Sequence, residues 1–155
     1  MPWIRFGRNE PPAPSLPLQN MQGQTVAVSD YRGQSSVALA FLHAPTCPAC
    51  RGVIENWAAR QAEVEALNSK LLLILPAAPD DVSGLDPAAT LLDPQGQLRR
   101  RYAQLLEFDT EGQILVYVLD EFNTPYAAWV GAEPEDTIWE ELLRWLLYVS
   151  LQCPE

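Results

Sequence analysis

Three expected buried strands, at residues 37–42, 70–75 and 113–120, each built on an apolar run, constrain the fold more than any other feature of this chain. A strand with one face in water alternates apolar and polar side chains, whereas a continuous apolar run marks a strand covered on both faces. The covering layers are legible between the runs. From position 48 onward Val53, Trp57, Val64 and Leu67 recur at helical spacing, residues 98–106 read as a second helix, and residues 134–151 as a closing one. Glu135 and Asp136 near the start of the last helix suit the positive end of its dipole.

Shorter strands are expected at 25–28, 91–92 and 126–130. Gln22-Gly23, the segment 29–33, the loop 76–86 and the Phe122-Asn123-Thr124-Pro125 turn punctuate them. Prolines at 2, 11, 12, 14 and 17 make residues 1–17 an irregular, extended lead-in. The expected architecture is α/β, a mixed central sheet with helices on both faces and an N-terminal extension. It forms one domain over residues 1–155, without internal repeats.

At 155 residues and 48% apolar content the chain can bury a full core. Ten basic against twenty acidic side chains leave a net charge of −10, a surface that repels phosphate backbones and anionic headgroups. Nucleic acid and membrane partners are therefore not expected. The apolar runs are too short to cross a bilayer. With no signal-type stretch behind Met1, the expected location is the cytoplasm.

Cys47, Cys50 and Cys153 are the three cysteines. An odd number in a chain with its own core does not build a disulfide scaffold. A structural zinc site normally takes four ligands, and beyond the C-x-x-C only His43 and Cys153 remain in stock, so a redox pair is the better reading. The pair lies between a buried strand and the start of a long helix. With Cys47 at the N-cap, the free N–H groups of the first turn and the helix dipole favour its thiolate. Pro48 fits the first helical position, where its missing N–H costs nothing. Cys50 follows one turn later, within bridging distance, and Arg51 adds positive charge. Such a pair can attack a substrate disulfide through Cys47 and resolve the mixed disulfide through Cys50. His43, the sole histidine, lies four residues before Cys47 and is a candidate proton partner. The pair is its own redox group, so no cofactor and no metal are expected.

The run Pro11-Pro12-Ala13-Pro14-Ser15-Leu16-Pro17-Leu18, then Gly23-Gln24-Thr25-Val26, Ser29-Asp30-Tyr31-Arg32-Gly33, the apolar strand and the C-x-x-C resemble the redoxin group of the thioredoxin-like superfamily. That group holds the peroxiredoxins (alkyl hydroperoxide reductase/thiol-specific antioxidant type) and thioredoxin-like disulfide reductases. Leu92-Asp93-Pro94-Gln95-Gly96-Gln97-Leu98 through Tyr102, and the strand ending Leu119-Asp120, resemble its second half. The resemblance implies a thioredoxin-like fold and an antioxidant or redox-homeostasis role. It also implies a disulfide or hydroperoxide substrate and an upstream thiol reductant. By the same resemblance Thr46, Pro48 and Ile114 are the residues a substrate meets.

Several positions depart from the pattern. Thr46 stands where thioredoxins usually carry Trp, Phe41 where they often bury an Asp, and Gln113-Ile114 where they place a cis-proline. Against the peroxiredoxin pattern P-x-x-x-T-x-x-C, Cys50 takes the peroxidatic position, Cys47 replaces the Thr and His43 the Pro. Leu151-Gln152-Cys153-Pro154 resembles the C-terminal Cys-Pro by which one peroxiredoxin class supplies a resolving thiol from a partner subunit. A terminal thiol without function is the competing reading. The leading expectation is thus a thiol–disulfide oxidoreductase. A thiol peroxidase acting through a sulfenic acid on Cys50, or on Cys47, is the second. A redox-sensing or partner-binding module without efficient turnover is the third.

Two surface expectations complete the reading. Arg99, Arg100 and Arg101 on a helix point in different directions and should be solvated. On the last helix Ile138, Leu142, Trp145 and Val149 should face the sheet. Trp139, Leu143, Leu146, Leu147, Tyr148 and Leu151 then extend the apolar surface, which suits a homodimer contact or packing against Trp3 and the lead-in equally well.

Overall fold

The computed structural model describes residues 3–7, 10–44, 47–107 and 109–151. In chain order the elements are β1 (Ile4–Arg5), β2 (Leu18–Asn20), β3 (Thr25–Val26), a 3-10 turn (Val28–Tyr31), β4 (Ser36–Phe41), α1 (Pro48–Ala66), β5 (Ser69–Leu75), β6 (Thr90–Leu92), α2 (Gln97–Ala103), β7 (Ile114–Leu119), β8 (Pro125–Gly131) and α3 (Thr137–Ser150). All eight strands join one sheet in the order β1-β8-β7-β4-β5-β6-β2-β3. Strand β4 runs parallel to β5 and antiparallel to β7, so the sheet is mixed.

The apolar runs are continuous because successive side chains enter two different cores. Ala38, Ala40 and Leu42 share one core with Leu71, Leu73, Val116 and Val118, beneath α1 and α3. Val37, Leu39 and Phe41 share the other with Leu72, Ile74, Leu115 and Tyr117, beneath α2. The small alanines of β4 sit in the layer that holds the large indoles of Trp57, Trp129 and Trp139, the first and last edge to face at 5.9 Å. On the opposite layer Phe41, Tyr102 and Tyr117 form an aromatic triad, with centroids 4.9–6.1 Å apart. Phe41 thus packs on the α2 side of the sheet, whereas Cys50 belongs to the α1 side.

The structure departs from the sequence expectations at the edges. The lead-in contains β1, whose Ile4 pairs with Ala128 of β8, and β2 precedes β3, which covers only Thr25–Val26 of the expected 25–28 because Val28 opens the 3-10 turn. Strands of two and three residues are too short to show a period. Asn20 fixes the β2–β3 turn, its Oδ1 accepting the Gln22 and Gln24 N–H groups at 2.9 Å each. Helix α3 begins at Thr137 rather than 134, because the Glu135 carbonyl is taken by a turn to the Ile138 N–H. Helix α2 stops at Ala103, and the chain to Leu106 continues in three-residue turns.

The buried face of α3 is Ile138, Trp139, Leu142, Leu146 and Val149. Trp145 is a correction to the expected stripe: the 138-142-146-149 row leaves it on the flank, where Trp3 packs at 6.3 Å and the Arg5 guanidinium lies 5.7 Å over its ring. Leu147, Tyr148 and Leu151 remain exposed. No described helix is long and apolar enough to cross a membrane.

The triad generates a pH prediction. Burial pushes the Tyr102 and Tyr117 hydroxyls well above the ordinary value of 10.0. Both raised values contribute stability that is complete below about pH 10 and is lost above it, as the unfolded chain ionises first. Urea midpoints should therefore fall as the pH rises above about 10, and less so in a Tyr117→Phe variant; equal slopes for the two proteins would contradict the assignment.

Candidate active site

Strand β4 lies inside the sheet, flanked by β7 and β5. The chain leaves it through Leu42, His43 and Ala44 and re-enters regular structure at Cys47, the N-cap of α1. Cys47 has an extended backbone, φ −67° and ψ 131°, and its carbonyl accepts the Arg51 N–H at 3.0 Å. Pro48 occupies the first turn, and no acidic residue there neutralises the positive end of the helix dipole. The pair is free rather than bridged, and its two sulfurs differ in exposure. Cys47 is half-buried; Cys50 is 0% exposed, packed among Val53, Ile54 and the β4 alanines.

His43 completes the cluster. One ligand-type atom from each of His43, Cys47 and Cys50 lies within 4.8 Å of the others. Burial pushes the Cys50 thiol up. The backbone N–H groups of Ala44 and His43 pull the other way, and a hydrogen bond with Cys47 adds to the upward shift. The inner sulfur is therefore held as a thiol while the outer one meets solvent at a helix N-terminus. Among the described residues, these three side chains are also the group placed to hold a metal ion.

Beside His43 opens a cavity of about 330 Å³, lined also by Pro76, Asp93, Arg99, Glu111 and Gly112. Arg99 corrects the expectation of a solvated arginine run. Its guanidinium donates to the Phe41 carbonyl at 3.3 Å, to the Thr110 carbonyl at 3.2 Å and to the Gln113 carbonyl. It thereby ties the end of β4 to the entry of β7. Burial lowers its pKa from the ordinary value, against the pull of Tyr117, Cys50 and Asp93. Asp93 places it, its carboxylate accepting the Gln97 and Arg99 N–H groups at 3.0 and 3.1 Å. Arg100 and Arg101 are exposed, as expected. Arg51 is engaged elsewhere, 3.4 Å from the Asp81 carboxylate in the 76–86 loop.

Of the residues singled out in the sequence, His43, Cys47 and Cys50 are brought together and Pro48 is exposed beside them. Ile114 is wholly buried in the core under α1 and α3, so it offers a substrate only its backbone. Thr46 and Cys153 lie outside the described residues. Arg99 and Glu111 were missed as candidates. The helical pattern carries no signal for Arg99: Leu98 and Tyr102 form the buried row of α2, and positions 99 and 101 lie at equal angles on either side of it.

Residues 10–124 match the family model described as the AhpC/TSA family. No curated protein matches the sequence. Solved structures do match. A secreted thiol-disulfide isomerase from Corynebacterium glutamicum superposes with a TM-score of 0.75 at 17% identity, over 97% of this chain and 92% of its own. A thiol:disulfide interchange protein of the thioredoxin family from Chlorobium tepidum TLS gives 0.73 at 16% identity, over 94% and 99%. Peroxidoxin BcpB from Mycobacterium tuberculosis gives 0.71 at 14% identity, over 88% and 94%. At these identities the likeness is one of fold, and the fold is thioredoxin-like.

Two outcomes are expected from the geometry. A brief iodoacetamide pulse on the reduced protein near neutral pH should label Cys47 well ahead of Cys50 by peptide mass mapping; equal labelling would remove the asymmetry. Replacing Arg99 with Met strips the donor from three carbonyls and should lower stability by about 2–3 kcal/mol in urea unfolding. The same change at Arg101 should have almost no effect.

Proposed function

The chain belongs to the AhpC/TSA family, and from that premise we propose that it is a thiol–disulfide oxidoreductase with Cys47 as nucleophile and Cys50 as resolving thiol. The observation that carries this reading is the asymmetry of the pair, a half-buried sulfur at the N-cap of α1 backed by a wholly buried one a turn later.

The Cys47 thiolate attacks one sulfur of a substrate disulfide. A Cys47–substrate bond forms, the substrate bond breaks, and the first substrate thiolate leaves and is protonated by solvent. Cys50 then gives up its proton and attacks the Cys47 sulfur, which releases the second substrate thiolate and leaves the Cys47–Cys50 disulfide. His43, whose ring lies within 4.8 Å of both sulfurs, takes the Cys50 proton and passes it to the departing thiolate. An upstream thiol reductant restores the pair by the reverse exchange. The substrate docks across Thr46 and Pro48 and into the cavity between His43, Arg99 and Glu111. A reducing compartment, the cytoplasm, suits a pair that starts each cycle as free thiols.

Family membership favours a second reading, reduction of a hydroperoxide. The peroxiredoxin pattern assigns that attack to Cys50, which has 0% exposure and a thiol pushed upward by burial, so peroxide would reach it poorly.

The test is insulin reduction with dithiothreitol as donor, beside peroxide consumption under the same conditions. The wild-type protein should reduce insulin, Cys47→Ser should reduce activity by at least about 10³-fold, and Cys50→Ser should accumulate a mixed disulfide at Cys47. Fast peroxide consumption with a sulfenate on Cys50, and no insulin reduction, would overturn the proposal.

A further inference from the structure

Disulfide exchange needs two sulfurs, yet the site gathers three soft or borderline donors. The ligand atoms of His43, Cys47 and Cys50 all lie within 4.8 Å of one another, two on the first turn of α1 and one on the segment leaving β4. We propose that the reduced site binds one copper(I) ion in a three-coordinate arrangement, through the Sγ atoms of Cys47 and Cys50 and one ring nitrogen of His43.

The distances allow it. Metal–nitrogen and metal–sulfur bonds of about 2.0 to 2.3 Å around a trigonal cation set its ligands about 3.5 to 4 Å apart. Closing from 4.8 Å takes shifts of roughly half an ångström at each donor, within reach of side-chain torsions.

The donor set and its surroundings choose the cation. Thiolate sulfur selects soft cations such as copper(I), and imidazole accompanies it readily. Among the described residues no fourth His, Cys, Asp or Glu joins the cluster, whereas a structural zinc ion closes a tetrahedron of four. Charge points the same way. Two thiolates and one monovalent cation leave a single negative charge, and the half-buried guanidinium of Arg99, which attracts Cys50, balances it. A divalent cation would leave the pocket with excess positive charge beside a buried arginine. The apolar packing of Cys50 excludes water from the inner side of the site.

Binding releases the two thiol protons to solvent and moves no electrons. When a disulfide substrate oxidises the pair, the Cys47–Cys50 bond forms, the substrate is reduced to two thiols, and both sulfur donors are withdrawn, so the cation is released. Copper occupancy and disulfide exchange thus exclude each other. The binding itself needs only the reduced geometry and stands whether or not the pair turns over a disulfide.

The experiment is an anaerobic titration of the reduced full chain with copper(I) against the chromophoric chelator bicinchoninate, with zinc(II) titrated in parallel. One equivalent of copper(I) should bind, with X-ray absorption reporting two sulfur donors and one nitrogen. Protein oxidised with diamide should not compete with the chelator. His43→Ala, checked for folding by circular dichroism, should weaken binding at least tenfold, Cys47→Ser at least a hundredfold, and Cys153→Ser should bind as the wild type does. Absence of stoichiometric binding, a His43→Ala variant of unchanged affinity, a site lost with Cys153, or zinc(II) taken up in preference to copper(I) would overturn the proposal.

Discussion

The site depends on one constraint, that β4 is covered on both faces and is the strand that precedes the N-terminus of α1. β4 is locked between β5 and β7, and α1 packs on the same sheet through Val53, Ile54 and Trp57, so the helix that carries Cys47 at its N-cap is held by the core. The alternation of Ala38, Ala40 and Leu42 toward α1, and of Val37, Leu39 and Phe41 toward α2, holds the strand from both sides. The cap is consequently presented on a rigid support, with the unpaired N–H groups of the first turn facing outward. The same packing buries Cys50, since a residue one turn into α1 on the side of Val53 and Trp57 must enter the core. The chemical difference between the two sulfurs follows from where a helix meets a sheet.

A second layer of control comes from the other face. Asp93, buried at the end of β6, accepts the N–H groups that open α2 and so sets the position of Arg99. The guanidinium then joins the carbonyls of Phe41, Thr110 and Gln113. It ties the end of β4 to the start of β7 and places a positive charge within range of Cys50. A half-buried arginine bonded to carbonyls, with the Asp93 carboxylate engaged by backbone N–H groups, is costly unless neighbouring negative charge supports it. Thiolates formed during exchange, or a thiolate-bound cation, provide such charge.

Much of this was legible in the sequence, for physical reasons. Continuous apolar runs announce strands with two cores, and a C-x-x-C with proline inside, at a strand-to-helix junction, announces a capped helix. The strands at 37–42 and 70–75, the helix from Pro48 and the convergence of His43 with the cysteines all follow from local pattern. What escaped lies where long-range contacts decide. Strands β1 and β2 exist because β8 and β6 offer edges to pair with, and two or three residues carry no period. Trp145 was placed in the sheet-facing stripe, but the row 138-142-146-149 takes that place and Trp3 covers the flank. By sequence Arg99 is one of three arginines in a row with nothing to set it apart; only the carbonyls gathered from β4 and the 110–113 turn make it a half-buried donor.

The most direct test of the account is a thiol-trapping redox titration. The protein is equilibrated across a glutathione series, alkylated, and mapped by mass spectrometry for which cysteines are paired. The account predicts a single reversible transition in which Cys47 and Cys50 pair with each other while Cys153 stays alkylated. A bridge that involves Cys153, or an oxidised Cys50 that carries a sulfenate and no internal partner, would contradict it.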